Sequence, residues 1–126
     1  DQLYSWEVDN AFDSNDDQPL QSMASDGAYI YMFSGKFSGT VTASTFTNNK
    51  VTVYTVGGEK VKVFKNFSIG KAEAAADNST SGNLYELEGA GWVWRNGIPY
   101  LACSIASGAL GSRKNRIWLI GGNVHH

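Results

Sequence analysis

The stretch that most constrains the fold is Val51–Lys65, VTVYTVGGEKVKVFK. Val51, Val53 and Thr55 alternate with Thr52, Tyr54 and Val56, and Val61 and Val63 alternate with Lys60, Lys62 and Phe64. β-Branched residues at period two on both sides of a glycine pair specify a β-hairpin. The loop length follows from burial. A Gly57-Gly58 loop pairs Val53 with Lys62 and sets the valines of the two strands on opposite faces. A longer loop, Val56-Gly57-Gly58, pairs Val53 with Val61 and Val51 with Val63, and puts Gly58 at the left-handed position such loops use. A slip of one residue turns every side chain over, so the single-faced arrangement is the one to expect. Val51, Val53, Val61 and Val63 then face a core. Thr52, Tyr54, Lys60 and Lys62 face water or a partner.

The rest of the chain reads the same way. Leu3–Val8 alternates and predicts a strand with Tyr4, Trp6 and Val8 inward. Asp9–Asp26 carries five Asp, two Asn and Pro19 and predicts a long polar loop closed by the Asp26-Gly27 turn. Ala28–Phe33 has little polar relief, which predicts a strand covered on both faces. Lys36–Phe46 alternates with a Ser/Thr outer face, and Asn48-Asn49 predicts the turn before the hairpin. Lys71–Asp77, KAEAAAD, is the one helix-like stretch and is only about two turns long. Leu84–Leu87 and Trp92–Arg95 predict strands separated by a bend at Gly89–Gly91. Asn96-Gly97 is a strong hairpin turn, with Ile98–Ile105 as its return strand. Arg116–Ile120 is the last strand.

About eight to ten short strands at even spacing, with at most one short helix, predict an all-β fold, an antiparallel β-sandwich or jelly-roll. YIYMFSG, VYTVGG and RIWLIGG resemble the aromatic–aliphatic–Gly-Gly strand of a kelch blade, which implies a propeller. Their spacings differ, however, and a chain of 126 residues is short for closing one, so the sandwich is the expectation. One domain is expected over residues 1–124, with His125-His126 set apart as a tag remnant.

Composition narrows the function. Net charge is −2 and the charged fraction 17%, which argues against nucleic acid or an acidic membrane surface as partner. No apolar run approaches the about 18 residues of a membrane-spanning helix. The one cysteine, Cys103, lies in the apolar run LACSIA and reads as a buried, inert thiol. Both histidines stand at the extreme C-terminus, so no Ser/His/Asp or Cys/His arrangement can form, and no phosphate loop or zinc set is present. An enzyme would have to work with carboxylates alone. Glu86 and Glu88 would share a strand face at a separation glycoside hydrolases use, about 5–10 Å, but solvated outer-face glutamates fit the pattern better.

Four other candidates remain. FDSNDDQ resembles the first half of an oxygen-rich calcium loop, with Asp13, Asn15 and Asp17 at alternate positions. Gln18 stands where an EF-hand needs Gly and Ala24 where it needs Glu, which leaves only a looser Ca²⁺ site. Arg113, Lys114 and Arg116 form the one basic cluster and read as a solvated loop. Trp92 and Trp94 flank Val93 and project from one strand face. A two-residue Asn96-Gly97 turn pairs Trp94 with Pro99 and Val93 with Tyr100. Such rings suit the apolar faces of sugars, while Asn96, Glu86 and Glu88 supply hydroxyl partners. The competing role of Trp92 and Trp94 is core packing. Asn66-Phe67-Ser68 and Asn78-Ser79-Thr80 match the N-glycosylation acceptor pattern.

The expectation is therefore a non-catalytic, extracellular recognition module that binds a carbohydrate through exposed aromatic residues and needs no cofactor. The alternative is a receptor-binding head or tip domain of a viral or phage fibre, assembled as a homotrimer on the virion surface. Its partner is then a glycan or a cell-surface receptor.

Overall fold

The computed structural model describes residues 5–6, 20–39, 50–65, 69–77, 83–109 and 111–121. They form eight strands and one helix: β1 (Leu20–Ser25), β2 (Tyr29–Ser34), β3 (Lys36–Gly39), β4 (Lys50–Thr55), β5 (Lys60–Lys65), α1 (Lys71–Asp77), β6 (Asn83–Arg95), β7 (Ile98–Ala109) and β8 (Lys114–Ile120). The strands make two four-stranded antiparallel sheets, ordered β1-β2-β4-β5 and β3-β6-β7-β8. The all-β antiparallel expectation holds, and KAEAAAD is the short helix it allowed.

The sheets share one core. Ala24, Tyr31, Phe33, Val51 and Val53 of the first sheet cluster with Leu87, Leu101, Cys103 and Ile105 of the second. Tyr31 and Trp92 meet edge to face across the divide, with ring centroids 5.3 Å apart. β2 is covered on both faces, as its unrelieved apolar run predicts.

The central hairpin keeps its predicted loop and loses its predicted register. Thr55 N donates to Glu59 O at 2.8 Å and Gly58 N to Thr55 O at 3.0 Å, so Val56, Gly57 and Gly58 form the loop. Gly58 is left-handed, at φ 94°. Tyr54 then pairs with Lys60, but Val53 pairs with Lys62, because a β-bulge inserts one residue at Val61. Beyond the bulge every side chain of β5 changes face. Val61 and Val63 become exposed, and Phe64 packs against the core instead. Lys62 lays its ammonium 4.8 Å from the Phe64 ring centre. The expected outward side chains of β4 are also corrected: Thr52 is 3% exposed and Tyr54 1%. β4 is an inner strand buried on both faces, so alternation along it carries no burial signal.

Trp6 helps to cover that second face. Its ring lies 5.1 Å from that of Tyr54, and its Nε1 donates to Val56 O at 3.0 Å. A Cβ on Gly58 would stand 2.8 Å from Trp6 Cγ. Gly58→Ala therefore meets both a left-handed backbone and a ring, and is expected to cost about 1–3 kcal/mol, read as a lower thermal midpoint.

Two further readings change. Leu20–Ser25, expected within the polar loop, is β1. Its turn is built by Asp26, whose Oδ1 accepts from Ala28 N at 2.9 Å and Tyr29 N at 2.8 Å, while Gly27 takes φ 93°. Tyr31 OH donates to Asp26 Oδ2 at 3.0 Å, and burial followed by that bond pushes the phenol well above its usual range. The bend expected at Gly89–Gly91 is absent. β6 runs unbroken through those glycines, with a bulge between Leu87 and Gly89. Most of Leu3–Val8, the strand expected beyond Gly39, the Asn48-Asn49 turn, and the acceptor patterns at Asn66 and Asn78 lie outside the described residues.

Candidate functional site

The longest hairpin among the described residues, β6–β7, presents the candidate site. Its register runs from Asn83↔Ala109 to Arg95↔Ile98, and Trp94↔Pro99, Val93↔Tyr100 and Trp92↔Leu101 pair as expected from the turn. Asn96 at φ 51° and Gly97 at φ 75° give both central residues the positive φ of a type I′ turn. The twist of such a turn matches that of the strands, so the tip is rigid.

The structure divides the two tryptophans. Trp92 is half-buried, packs on the shared core and meets Tyr31. Trp94, two residues nearer the tip on the same face, has passed the edge of the core and is 68% exposed. Arg95, Asn96, Gly97 and Pro99 around it are exposed as well. Tyr100 occupies the opposite face by register, where its ring lies over Gly121: a Cβ there would be 3.0 Å from Tyr100 Cε1. Trp94 and Asn96 thus stand together at the tip, while Trp92 and Tyr100 do not join them.

Glu86 and Glu88 are not brought together. Glu86 is buried and pairs with Ala106, whereas Glu88 is the exposed bulge residue. The bulge breaks the alternation that placed both on one face. Asp13, Asn15 and Asp17 lie outside the described residues. No group of His, Cys, Asp or Glu suited to a metal ion occurs among the described residues. Cys103 is fully buried, and burial pushes its thiol up to about 11, as an inert thiol requires.

Two of the three basic residues, Lys114 and Arg116, anchor the helix, while Arg113 is exposed as expected of a solvated loop. Asp77, the last residue of α1, accepts from Ser107 Oγ at 2.8 Å, Lys114 Nζ at 3.0 Å and Arg116 Nη1 at 2.5 Å. The Arg116 guanidinium, seconded by Ser107 and Lys114 against the cost of burial, holds the Asp77 carboxyl well below the usual carboxylate range. Sequence reasoning misses this because Asp77 is remote in the chain from Arg116. The one available signal was an acidic residue at a helix C-terminus, where the helix dipole disfavours it and a cation must compensate.

No helix among the described residues is long and apolar enough to cross a membrane. A family model described as "Phage 5-bladed beta propeller receptor binding platform domain" matches residues 1–118. No curated protein matches the chain. The family description names a propeller, and the two four-stranded antiparallel sheets on one core agree with the all-β antiparallel expectation. Propeller blades are four-stranded antiparallel sheets, and each of the two sheets here has that strand number and pairing.

Proposed function

This chain belongs to the family of phage five-bladed β-propeller receptor-binding platform domains, and from that membership we propose that it acts, without catalysis, on the virion surface in recognising a receptor of the host cell. The observation that carries the choice of site is Trp94: an indole 68% exposed on a rigid type I′ turn. An exposed ring costs solvation, and a preformed turn lowers the ordering entropy of binding. Tryptophan is among the residues in which binding energy concentrates, and Asn96 of the turn stands beside it.

The receptor class that fits this chemistry is a glycan of the host envelope. The indole takes the apolar C–H face of a sugar ring, and the Asn96 amide takes its hydroxyls. Trp94→Ala is expected to keep its fold, within about 0.5 kcal/mol, because the ring lies outside the core. It is expected to lose roughly 30-fold or more in affinity for host cells, as an interface anchor does. Thermal melts, cell-binding titrations and a glycan array on the same variant check this. Undiminished cell binding would refute the tip as the site. Cell binding lost with Trp94 while the array stays silent would retain the site and exclude a glycan.

A further inference from the structure

Asn96-Gly97 is a reactive pair as well as a turn. The chain has ten asparagines, and Asn96 alone is followed by glycine. An asparagine side chain is open to attack at Cγ by the backbone nitrogen of the next residue, and a side chain on that residue obstructs the approach. Gly97 carries none, and a Cβ there would meet nothing within 4 Å. Residues 93–99 are all exposed. Among the described residues no hydrogen bond holds the Asn96 side-chain amide or the Gly97 N–H.

We infer that Asn96 is the site at which this chain deamidates, and that the hairpin tip ages through it. Gly97 N forms a bond to Asn96 Cγ. The side-chain nitrogen takes up the Gly97 N–H proton and leaves as ammonia, and the closed species is a succinimide. Water then opens the ring with no change of oxidation state. Cleavage of the bond from Cγ to nitrogen leaves an aspartate at position 96. Cleavage at the main-chain carbonyl leaves an isoaspartate, in which the backbone runs through the side-chain methylene.

The turn sets both the pace and the damage. Ring closure needs a backbone angle at Asn96 other than the one that closes the hairpin, so the reaction waits for the turn to open. That opening is local, because the core ends between Trp92 and Trp94 and the exposed tip beyond it carries little packing. The two products then differ. Asp-Gly satisfies the same type I′ turn as Asn-Gly, so the aspartate form keeps the hairpin, loses a hydrogen-bond donor and gains a charge. The isoaspartate form lengthens the loop whose two residues fix the register, so it disturbs the Trp94↔Pro99 pairing. Loss of receptor binding in either form rests on the receptor-binding role of Trp94 and Asn96, whereas the reaction itself does not.

Incubation of the full chain in mildly alkaline buffer, followed by ion exchange and isoaspartyl-methyltransferase labelling, tests it. A more acidic form is expected to accumulate, labelled at residue 96, at least about tenfold more slowly than in a free peptide spanning residues 94–100. Asn96→Gly also supports a type I′ turn, and is expected to keep the melting temperature and yield no acidic form. Host-cell binding of the aged form, and of Asn96→Asp, is expected to fall at least about tenfold. A chain that stays unaltered while the peptide converts, or an acidic form that persists in Asn96→Gly, would overturn the site. Conversion as fast as the peptide's would exclude control by the turn. Full binding by the aged form, with binding lost in Trp94→Ala, would refute the ageing effect and leave the receptor tip standing. Full binding by Trp94→Ala as well would refute the tip, with the acidic form still deciding the deamidation.

Discussion

Val53→Asp is expected to leave the chain unfolded, and Thr52→Asp to come close to it. Val53 is completely enclosed between the two sheets. A carboxylate there has neither water nor a counter-ion, and the cost of burying a lone charge exceeds the about 5–15 kcal/mol that holds a domain of this size together. Thr52 points to the other side of β4 and is just as dry, although alternation alone would assign it to solvent. It pairs with Met32 on one flank and Val63 on the other. The informative control is Val61→Asp. In the single-faced register Val61 is core and the substitution is as damaging as Val53→Asp. In the bulged register Val61 is exposed and the effect stays within about 0.5 kcal/mol. Soluble yield and thermal unfolding of the three variants separate the registers, and a silent Thr52→Asp with a crippled Val61→Asp would restore the unbulged hairpin.

That contrast shows where the amino-acid order is legible and where it stops. The Asn96-Gly97 hairpin was readable down to its residue pairs, because two positive-φ residues demand one turn type and that turn sets the register. The Val56-Gly57-Gly58 loop was readable from the need for a left-handed glycine at Gly58, although the register argued with it was not kept. The bulge at Val61 was not readable: it is selected by tertiary packing, which brings Phe64 to the core and needs cover on both faces of β4. The bulge at Glu88 hid itself likewise and dissolved the proposed carboxylate pair. Two tryptophans two residues apart look equivalent in sequence. They differ only because the core ends between them, burying Trp92 and leaving Trp94 at the tip. Three strands resemble those of a kelch blade, and the family model that matches residues 1–118 is described as a propeller, but strand patterning alone carries no signal for receptor binding.

Asp77→Ala is expected to cost about 2–3 kcal/mol, a fall of roughly 10 °C in melting temperature. Its side chain is 6% exposed, and it joins α1 to β7 through Ser107 and to β8 through Lys114 and Arg116. The loss stays below that of a wholly buried pair because Arg116 and Lys114 keep a path to water once their partner is gone. The same network sets an acid limit. The folded-state carboxyl titrates well below the usual range, while in the unfolded chain it titrates at about 3.9. Folding therefore favours the proton-free form. Its contribution is complete above about pH 5 and is lost as the pH falls through 3.9 towards the depressed folded-state value. Asp77→Asn keeps the shape of the side chain without that titration. The melting-temperature gap between wild type and Asp77→Asn is expected to be widest near neutral pH and to narrow steadily as the pH is taken below about 4. A gap that stays constant across that range would mean that hydrogen-bond geometry, and not the ionised carboxylate, ties the helix to the sheet.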